Sequence, residues 1–263
     1  MRDVPLNESP PTLVVVGPPG SGVQLVVAAL VRAGVKASGW EGGAQPPPPT
    51  LPGEPGPLVV ALEAHDLTCL GRLQPPWSER ELPVEMGAAG RELELSRQRL
   101  FPWLLRAQLV LDTSQLSAFL VVARVHQLLP YLQPDPAAQP AVVLESFAYP
   151  RGVPLDLGWC LDARALRNPY WEPGLRMVSG LDPRVREFVL SQPLALALVD
   201  GAVSLSRHLL PALVARSRRV LRVGFGCTGG FHRSVALAEA VGGQLRAAGV
   251  DNLIWHRDLS ERA

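Results

Sequence analysis

The chain has 263 residues, 47% hydrophobic and 19% charged, with a formal net charge of +1; that is core material for one large domain or two small ones and speaks against a strongly basic nucleic-acid surface over the whole molecule. No apolar run reaches the roughly 18 residues a membrane span needs, and the opening MRDVPLNESPP has neither the basic n-region nor the apolar h-region of a signal peptide, so a cytoplasmic protein with no membrane partner is expected. Three cysteines, Cys69, Cys160 and Cys227, are too few and too scattered for a disulfide framework or a zinc site, and no metal is expected.

In chain order, TLVVV (12–16), bounded by Pro11 and Gly17, reads as a short buried strand. GPPGSGVQ (17–24) follows, and LVVAALVRAGV continues as a helix. The Pro/Gly-rich stretch EGGAQPPPPTLPGEPGP (41–57) reads as an extended loop, because proline fixes φ and removes donors. LVVALEA (58–64) is a second strand, and GRELELSRQRLFPWLLRA (90–107) a helix interrupted at Pro102. QLVLDTS (108–114) is a third strand, after which QLSAFLVVARVHQLL (115–129) has helical spacing with Thr113 or Ser114 as its N-cap. LQPDPAAQP (132–140) reads as a linker.

A second series begins with AVVLESFAY (141–149) and GWCLDAR (158–164) as strands, then DPRVREFVLS (182–191) and 201–216 as helices. It closes on the strand, loop and helix of RVLRVGFGCTGGFHRSVALAEAVGGQLRAAG (219–249). Strands alternating with helices in both halves predict an α/β fold with parallel sheets, whose ligands gather at the carboxyl ends of the strands. The expected organisation is a first domain over 1–139 and a second over 140–263. Residues 1–139 hold 10 Lys+Arg and 13 Asp+Glu, residues 140–263 hold 15 and 11. The second half is mildly basic, which suits an anionic ligand and equally suits ordinary surface composition.

The first glycine loop has the frame of a P-loop: Gly17, four residues including Gly20 and Ser21, then Gly22. The next two positions should be Lys and Ser/Thr, and they are Val23 and Gln24. The chain's single lysine, Lys36, lies too far along to substitute. Without the cation and the magnesium ligand, phosphoryl transfer lacks its charge stabilisers. The loop is expected to be a tight turn kept for packing, with amides at the helix N-terminus still able to receive an anion.

The second loop, GFGCTGGFHRS, follows a strand with Leu221, Val223 and Phe225 on one side and precedes a helix with Leu237, Val241 and Leu245 on one face. Gly226, Gly229 and Gly230 permit a tight turn. His232, Arg233 and Ser234 fall at the helix start, where unpaired N–H groups and a partial positive charge meet a guanidinium. Anion binding is the chemistry this combination suits, against a bland strand-to-helix turn that explains neither His232 nor Arg233. Cys227 and Arg233 also match the Cys-x5-Arg-Ser frame of cysteine-dependent phosphatases, with Asp182 or Asp200 as a general acid, although Gly226 stands where the usual histidine would be.

Several irregular motifs in order resemble the RapZ family of RNase adapter proteins and their P-loop-containing relatives: LVLDTS (109–114), VVLESFAYPRGVPLD (142–156), LDARALRNPYWEPGLRMVSGLDP (161–183), GFGCTGGFHRSVALAE (224–239) and HRDLSER (256–262). The resemblance is dense over the second half and thin over the first. It implies a degenerate, shortened P-loop NTPase-like domain followed by a RapZ-type α/β domain that binds a small phosphorylated metabolite, an amino-sugar phosphate in one branch. It also implies an RNA or ribonuclease partner and ATP or GTP at the N-terminal loop (Gly17, Gly20, Ser21, Gly22); a homo-oligomer is left open by the sequence. On the matched positions, Cys227, Thr228, Gly229, Gly230, His232, Arg233 and Ser234 would form the ligand loop. Asp162, Arg164, Asn168 and Asp182 would line the facing wall, and His256 would join them. The degenerate P-loop weighs against catalysis. The closing HRDLSERA is poor in basic residues and should grip RNA weakly, with Arg207, Arg216, Arg218, Arg219 and Arg222 as compensation or as a solvated surface. NPYW (168–171) is either a turn packing Tyr170 and Trp171 into the core or an aromatic contact for the ligand.

Overall fold

The computed structural model describes residues 13–41, 57–73, 87–132, 140–216 and 218–259. The proline-rich stretch from 42 to 56 and the 133–139 linker lie outside the described residues. The chain divides into two compact units, Met1–Gln127 and Leu128–Ala263. Each holds a four-stranded parallel sheet, as the alternation of strands and helices predicts.

In the first unit, β1 (Leu13–Val16) lies between β2 (Ala37–Trp40) and β3 (Leu58–Glu63), and β4 (Leu109–Asp112) flanks β3. A central parallel strand is covered on both faces, so Leu13–Val16 is buried throughout, without polar alternation. Helix α1 (Val23–Arg32) crosses from β1 to β2. α2 (Asp66–Leu73) and α3 (Gly87–Arg106) lie between β3 and β4. Leu100, Trp103 and Ala107 pack on Val14, Val16, Val59 and Ala61. The sequence does not mark β2, whose Ala-Ser-Gly-Trp lacks β-branched residues. Its Gly39 is required because a Cβ there would meet Val23 and Val27 of α1 at 2.7 and 2.8 Å.

Two local expectations are corrected. α3 runs through Pro102 without a break, since packing of Leu100 and Trp103 on the sheet outweighs one missing N–H. Neither Thr113 nor Ser114 caps α4 (Ala118–Leu132): Ser117 Oγ accepts from Leu120 N at 3.3 Å, while Ser114 bonds Asp112 and Thr113 donates to the Ser21 carbonyl at 2.9 Å.

The second unit orders its strands β6-β7-β5-β8, with β5 (Ala141–Ala148), β6 (Trp159–Asp162), β7 (Val220–Cys227) and β8 (Asp251–His256). β5 and β7 pair over eight residues, from Ala141 opposite Val220 to Ala148 opposite Cys227. Helices α5 (Pro183–Leu190), α6 (Pro193–Val214) and α7 (Arg233–Ala247) share one core with the sheet. Leu221, Val223 and Phe225 of β7 belong to it, with Leu237, Val241 and Leu245 of α7. Each such fully buried side chain contributes roughly 1.5–3 kcal/mol relative to exposure. α6 is 22 residues long and apolar enough to cross a membrane by length and composition; in this fold its Ala195, Val199, Ala202 and Leu210 pack in the core.

One of the alternate positions on β7 carries a buried charge. Arg222, 4% exposed, pairs with Glu145 on β5 and, at 3.2 Å, with Asp156, and stacks 4.9 Å from the Trp255 ring centre. Arg222 therefore does not belong to an exposed arginine group. All four strands run the same way, so Tyr149, Ala163, Thr228 and Arg257 emerge at one edge of the sheet.

Candidate functional site

β7 ends at Cys227 and α7 begins at Arg233, with His232 in the N-cap position and no side chain capping the helix. The His232 side chain thus satisfies none of the first-turn N–H groups of α7, which carry the positive end of the helix dipole, and the Ser234 N–H turns to the Cys227 sulfur. Thr228 is exposed and Gly229 partly so, whereas Cys227, Gly230, His232, Arg233 and Ser234 are buried beneath them. Gly230 turns the loop at φ 62°, and a Cβ there would lie 3.0 Å from both the Ala148 nitrogen and Asp258 Cβ. Only glycine satisfies both constraints.

Beneath the loop, Gly230 N donates to Cys227 Sγ at 3.2 Å, and Ser234 Oγ lies 3.1 Å from the same sulfur. Burial pushes the Cys227 thiol up, but the Ser234 hydroxyl, the Ser234 and Gly229 N–H groups and the Arg233 charge together bring it below its ordinary 9.0. Arg233, 5% exposed, donates through Nη1 to the carbonyls of Arg164 (3.1 Å) and Leu166 (2.9 Å), and through Nη2 to Thr228 Oγ1 (3.2 Å). Its Nε is buried without a partner among the described residues. None of these bonds goes to a carboxylate; Asp162 and the Cys227 sulfur act on this buried cation through charge rather than a hydrogen bond.

The remaining expected residues separate into three groups. Asp162 and Arg164 do come to the loop. Asp162 ends β6 opposite Gly226 and accepts from Arg164 N, Nε and Nη2, and Arg164 lies 3.9 Å over the Tyr149 ring. Asn168 and Asp182 serve their own segments. Asn168 Oδ1 accepts from Tyr170 N, while Asp182 accepts from Arg184 N at 2.9 Å, pairs with the Arg184 guanidinium and caps α5. His256 bridges Ser146 Oγ (2.8 Å) and Glu239 Oε1 (3.1 Å), fastening β8 to β5 and α7.

His232 turns toward the 169–178 segment, where its Nε2 donates to the Arg176 carbonyl at 3.2 Å. Trp171 on that segment is 78% exposed, so NPYW does not bury its tryptophan in the core. The Asp182 side-chain and backbone bonds to Arg184 hold its carboxyl at about 2, which leaves it ionised at neutral pH and a poor proton donor for phosphatase chemistry.

Two residues were not singled out from the sequence. A Cβ at Gly226 would lie 2.5 Å from the Tyr149 ring, which explains why glycine stands where a phosphatase carries histidine. Asp258, buried, accepts from Ala148 N at 2.6 Å and pairs with Arg257, which itself donates to the Gly152 carbonyl at 2.9 Å. The closing HRD motif thus fastens the far side of the loop. The signal for both was position: Tyr149 directly follows β5, and Asp258 lies two residues after β8.

At the first glycine loop, Gly20 and Gly22 adopt φ 80° and 97°. A Cβ at Gly20 would lie 2.5 Å from the Cys69 carbonyl oxygen, so the α2 backbone rests directly on the loop. Gly17 is equally confined, 2.3 Å from Ser21 Oγ by the same construction. Arg72 of α2 donates to the Gly20 carbonyl at 3.1 Å and to the Thr113 hydroxyl and carbonyl at 3.2 and 2.6 Å. Packing accounts for Gly17 and Gly20, and the positive φ for Gly22. Among the described residues no cluster of metal-ligating side chains is present.

A family model described as the RapZ C-terminal domain matches residues 140–260. A Rubrobacter xylanophilus protein named nucleotide-binding protein is 39% identical over 206 residues, covering 76% of this chain and 66% of its own length. A Ruegeria pomeroyi protein of the same name is 38% identical over 191 residues, covering 73% and 64%. One from Cutibacterium acnes is 34% identical over 209 residues, covering 78% and 69%. The chain thus spans just under two thirds of the length of the first two relatives.

Proposed function

The chain belongs to the RapZ family, and from that premise we propose that it is a binding protein holding a small phosphorylated metabolite, of the sugar-phosphate type, at the loop from Cys227 to Ser234. The observation that carries this reading is Arg233. A guanidinium buried at a helix N-terminus, bonded to two carbonyls and a hydroxyl but to no carboxylate, is costly unless an anion joins it. Thr228 and Gly229, the accessible part of the loop, offer a hydroxyl and amides. Arg164, over the Tyr149 ring, is paired with Asp162 and adds no free charge. Calorimetry with a hexosamine phosphate tests the assignment: Arg233→Ala should abolish binding, and undiminished affinity in that variant would sink it.

Nucleotide binding is the second reading, favoured by the names of the relatives. The absence of lysine and hydroxyl at Val23 and Gln24, and the Cys69 backbone resting on Gly20, weigh against ATP or GTP at the first loop. Retention of labelled ATP with magnesium, lost when Gly22 is altered, would restore it. An RNA partner draws less support from the arginine group than its sequence suggests, because Arg222 is committed to Glu145 and Asp156.

A further inference from the structure

In helix α6 of the second unit, chemistry and burial disagree. It is apolar enough to cross a membrane, yet only 22% of its most apolar stretch is buried. Its buried residues, Ala195, Val199, Ala202, Ser206 and Leu210, recur every three or four positions and make a single stripe. Leu194, Leu196 and Leu205 lie outside that stripe and are 46, 50 and 43% exposed. A helix apolar on its outer side as well as its inner one calls for a second surface to pack on. Gly201 makes the same point independently. It is exposed in the middle of the helix, and a Cβ there would meet nothing within 4 Å. Glycine in a helix interior is destabilising relative to alanine, and the chain's own packing does not require it. Close approach of another molecule would.

Two charges indicate which molecule. Asp200 and Arg207 are both exposed and make no ion pair among the described residues. Seven positions apart, they lie two turns apart on one flank of the helix. An acid and a base at the middle of this face are unsuited to lipid, but they complement each other when the helix is reversed. We propose that this face of α6 pairs with the same face of a second copy of the chain, antiparallel about a two-fold axis near Ser204. Positions 200 and 207 bracket that axis, so Asp200 of each copy meets Arg207 of the other, twice by symmetry. Leu205 of each copy then packs over Gly201 of the other, where there is no side chain. A parallel pairing would set like charges opposite each other, which is repulsive. The inference does not depend on the ligand assigned to the Cys227–Ser234 loop.

Sedimentation equilibrium of the intact chain tests this, with circular dichroism as the check on folding. The chain should be a dimer. Leu205→Glu and Gly201→Leu should each weaken self-association by about tenfold or more. Asp200→Arg and Arg207→Asp should each weaken it alone, and the two combined should restore it, because the reversed charges pair again. Misfolding cannot imitate that rescue. Should Gly201→Leu fail to fold, Leu205→Glu decides. A monomeric chain overturns the pairing, as does a dimer untouched by Leu205→Glu. A folded double reversal that stays dissociated refutes the antiparallel register. Co-flotation with vesicles of phosphatidylcholine and phosphatidylglycerol, lost in Leu205→Glu, would assign the face to lipid instead and overturn the proposal.

Discussion

The two glycine loops share an architecture and differ in what covers them. Each joins a central parallel strand to a helix without a side-chain cap. Each has an arginine that reaches a threonine hydroxyl, Arg72 to Thr113 and Arg233 to Thr228. At the first loop the arginine arrives from a neighbouring helix, and α2 lays the Cys69 backbone on the loop. At the second, the arginine belongs to the helix itself and lies beneath the loop, which leaves Thr228 and Gly229 open to solvent. The same local geometry is thus closed by packing in one unit and left open over a buried cation in the other. Which of these a glycine loop becomes depends on what packs over it.

The largest expected contrast concerns the cysteine beside each loop. Burial raises the Cys69 thiol to about 11, and its sulfur lies against the Ala64 carbonyl, an acceptor that favours the protonated form. Cys227 is held below its ordinary 9.0 by the donors around it. The two shifts have opposite directions, so at neutral pH Cys227 should carry the larger thiolate population. Thiolate absorbance titrations in a Cys160→Ser background, with Cys69→Ser and Cys227→Ser as references, should show Cys227 ionising first. The linked stabilities have opposite signs. The contribution of Cys227, fully present above 9.0, is lost as pH falls through its depressed value. That of Cys69, present below 9.0, is lost as pH rises toward about 11. Coincident titrations would dissolve the contrast.

A second test compares the turns. Gly22 and Gly230 both have positive φ, so alanine at either costs about 1–2 kcal/mol of backbone strain. Around Gly22 the space is open, whereas at Gly230 a Cβ would press on Ala148 N and Asp258 Cβ. Gly230→Ala should therefore lower the denaturation midpoint more than Gly22→Ala. Equal shifts would mean that the close approach of β5 and the Asp258 segment to the second loop carries no weight.

The fold was legible wherever burial is two-sided. Runs such as LVVV and VVLES have to be central parallel strands, and the four-residue recurrence of Leu237, Val241 and Leu245 placed α7 correctly. β2 was invisible because its glycine answers to α1 rather than to strand propensity. At the site, the glycines and the helix start could be read locally. The direction of Arg233 could not, because its acceptors are carbonyls more than sixty residues away. Asn168 and Asp182 were assigned to the ligand wall, yet Asp162-Ala-Arg, Asn168-Pro-Tyr and Asp182-Pro-Arg share one pattern: a side-chain oxygen accepts from the N–H two residues on. That pattern is a turn or cap signature. It separates Asp162, which also neighbours the loop, from the other two only once the sheet register is known.

The smallest effect, and the most discriminating, concerns the paired threonines. Thr228→Val keeps the shape and removes one hydrogen bond to Arg233, worth about 0.5–1.5 kcal/mol at most. Because Thr228 is exposed, water replaces much of that bond, so stability should barely move. A ligand seated on the loop would feel the loss directly, with affinity for a hexosamine phosphate falling roughly three- to tenfold. Thr113→Val should do the reverse. Its hydroxyl, buried, donates to the Ser21 carbonyl and accepts from Arg72, so the chain should lose stability by the upper end of the same range while affinity at Cys227–Ser234 stays unchanged. Denaturation and calorimetry on the two variants separate the cases. If Thr228→Val costs stability and leaves affinity intact, the second loop is a packing device like the first.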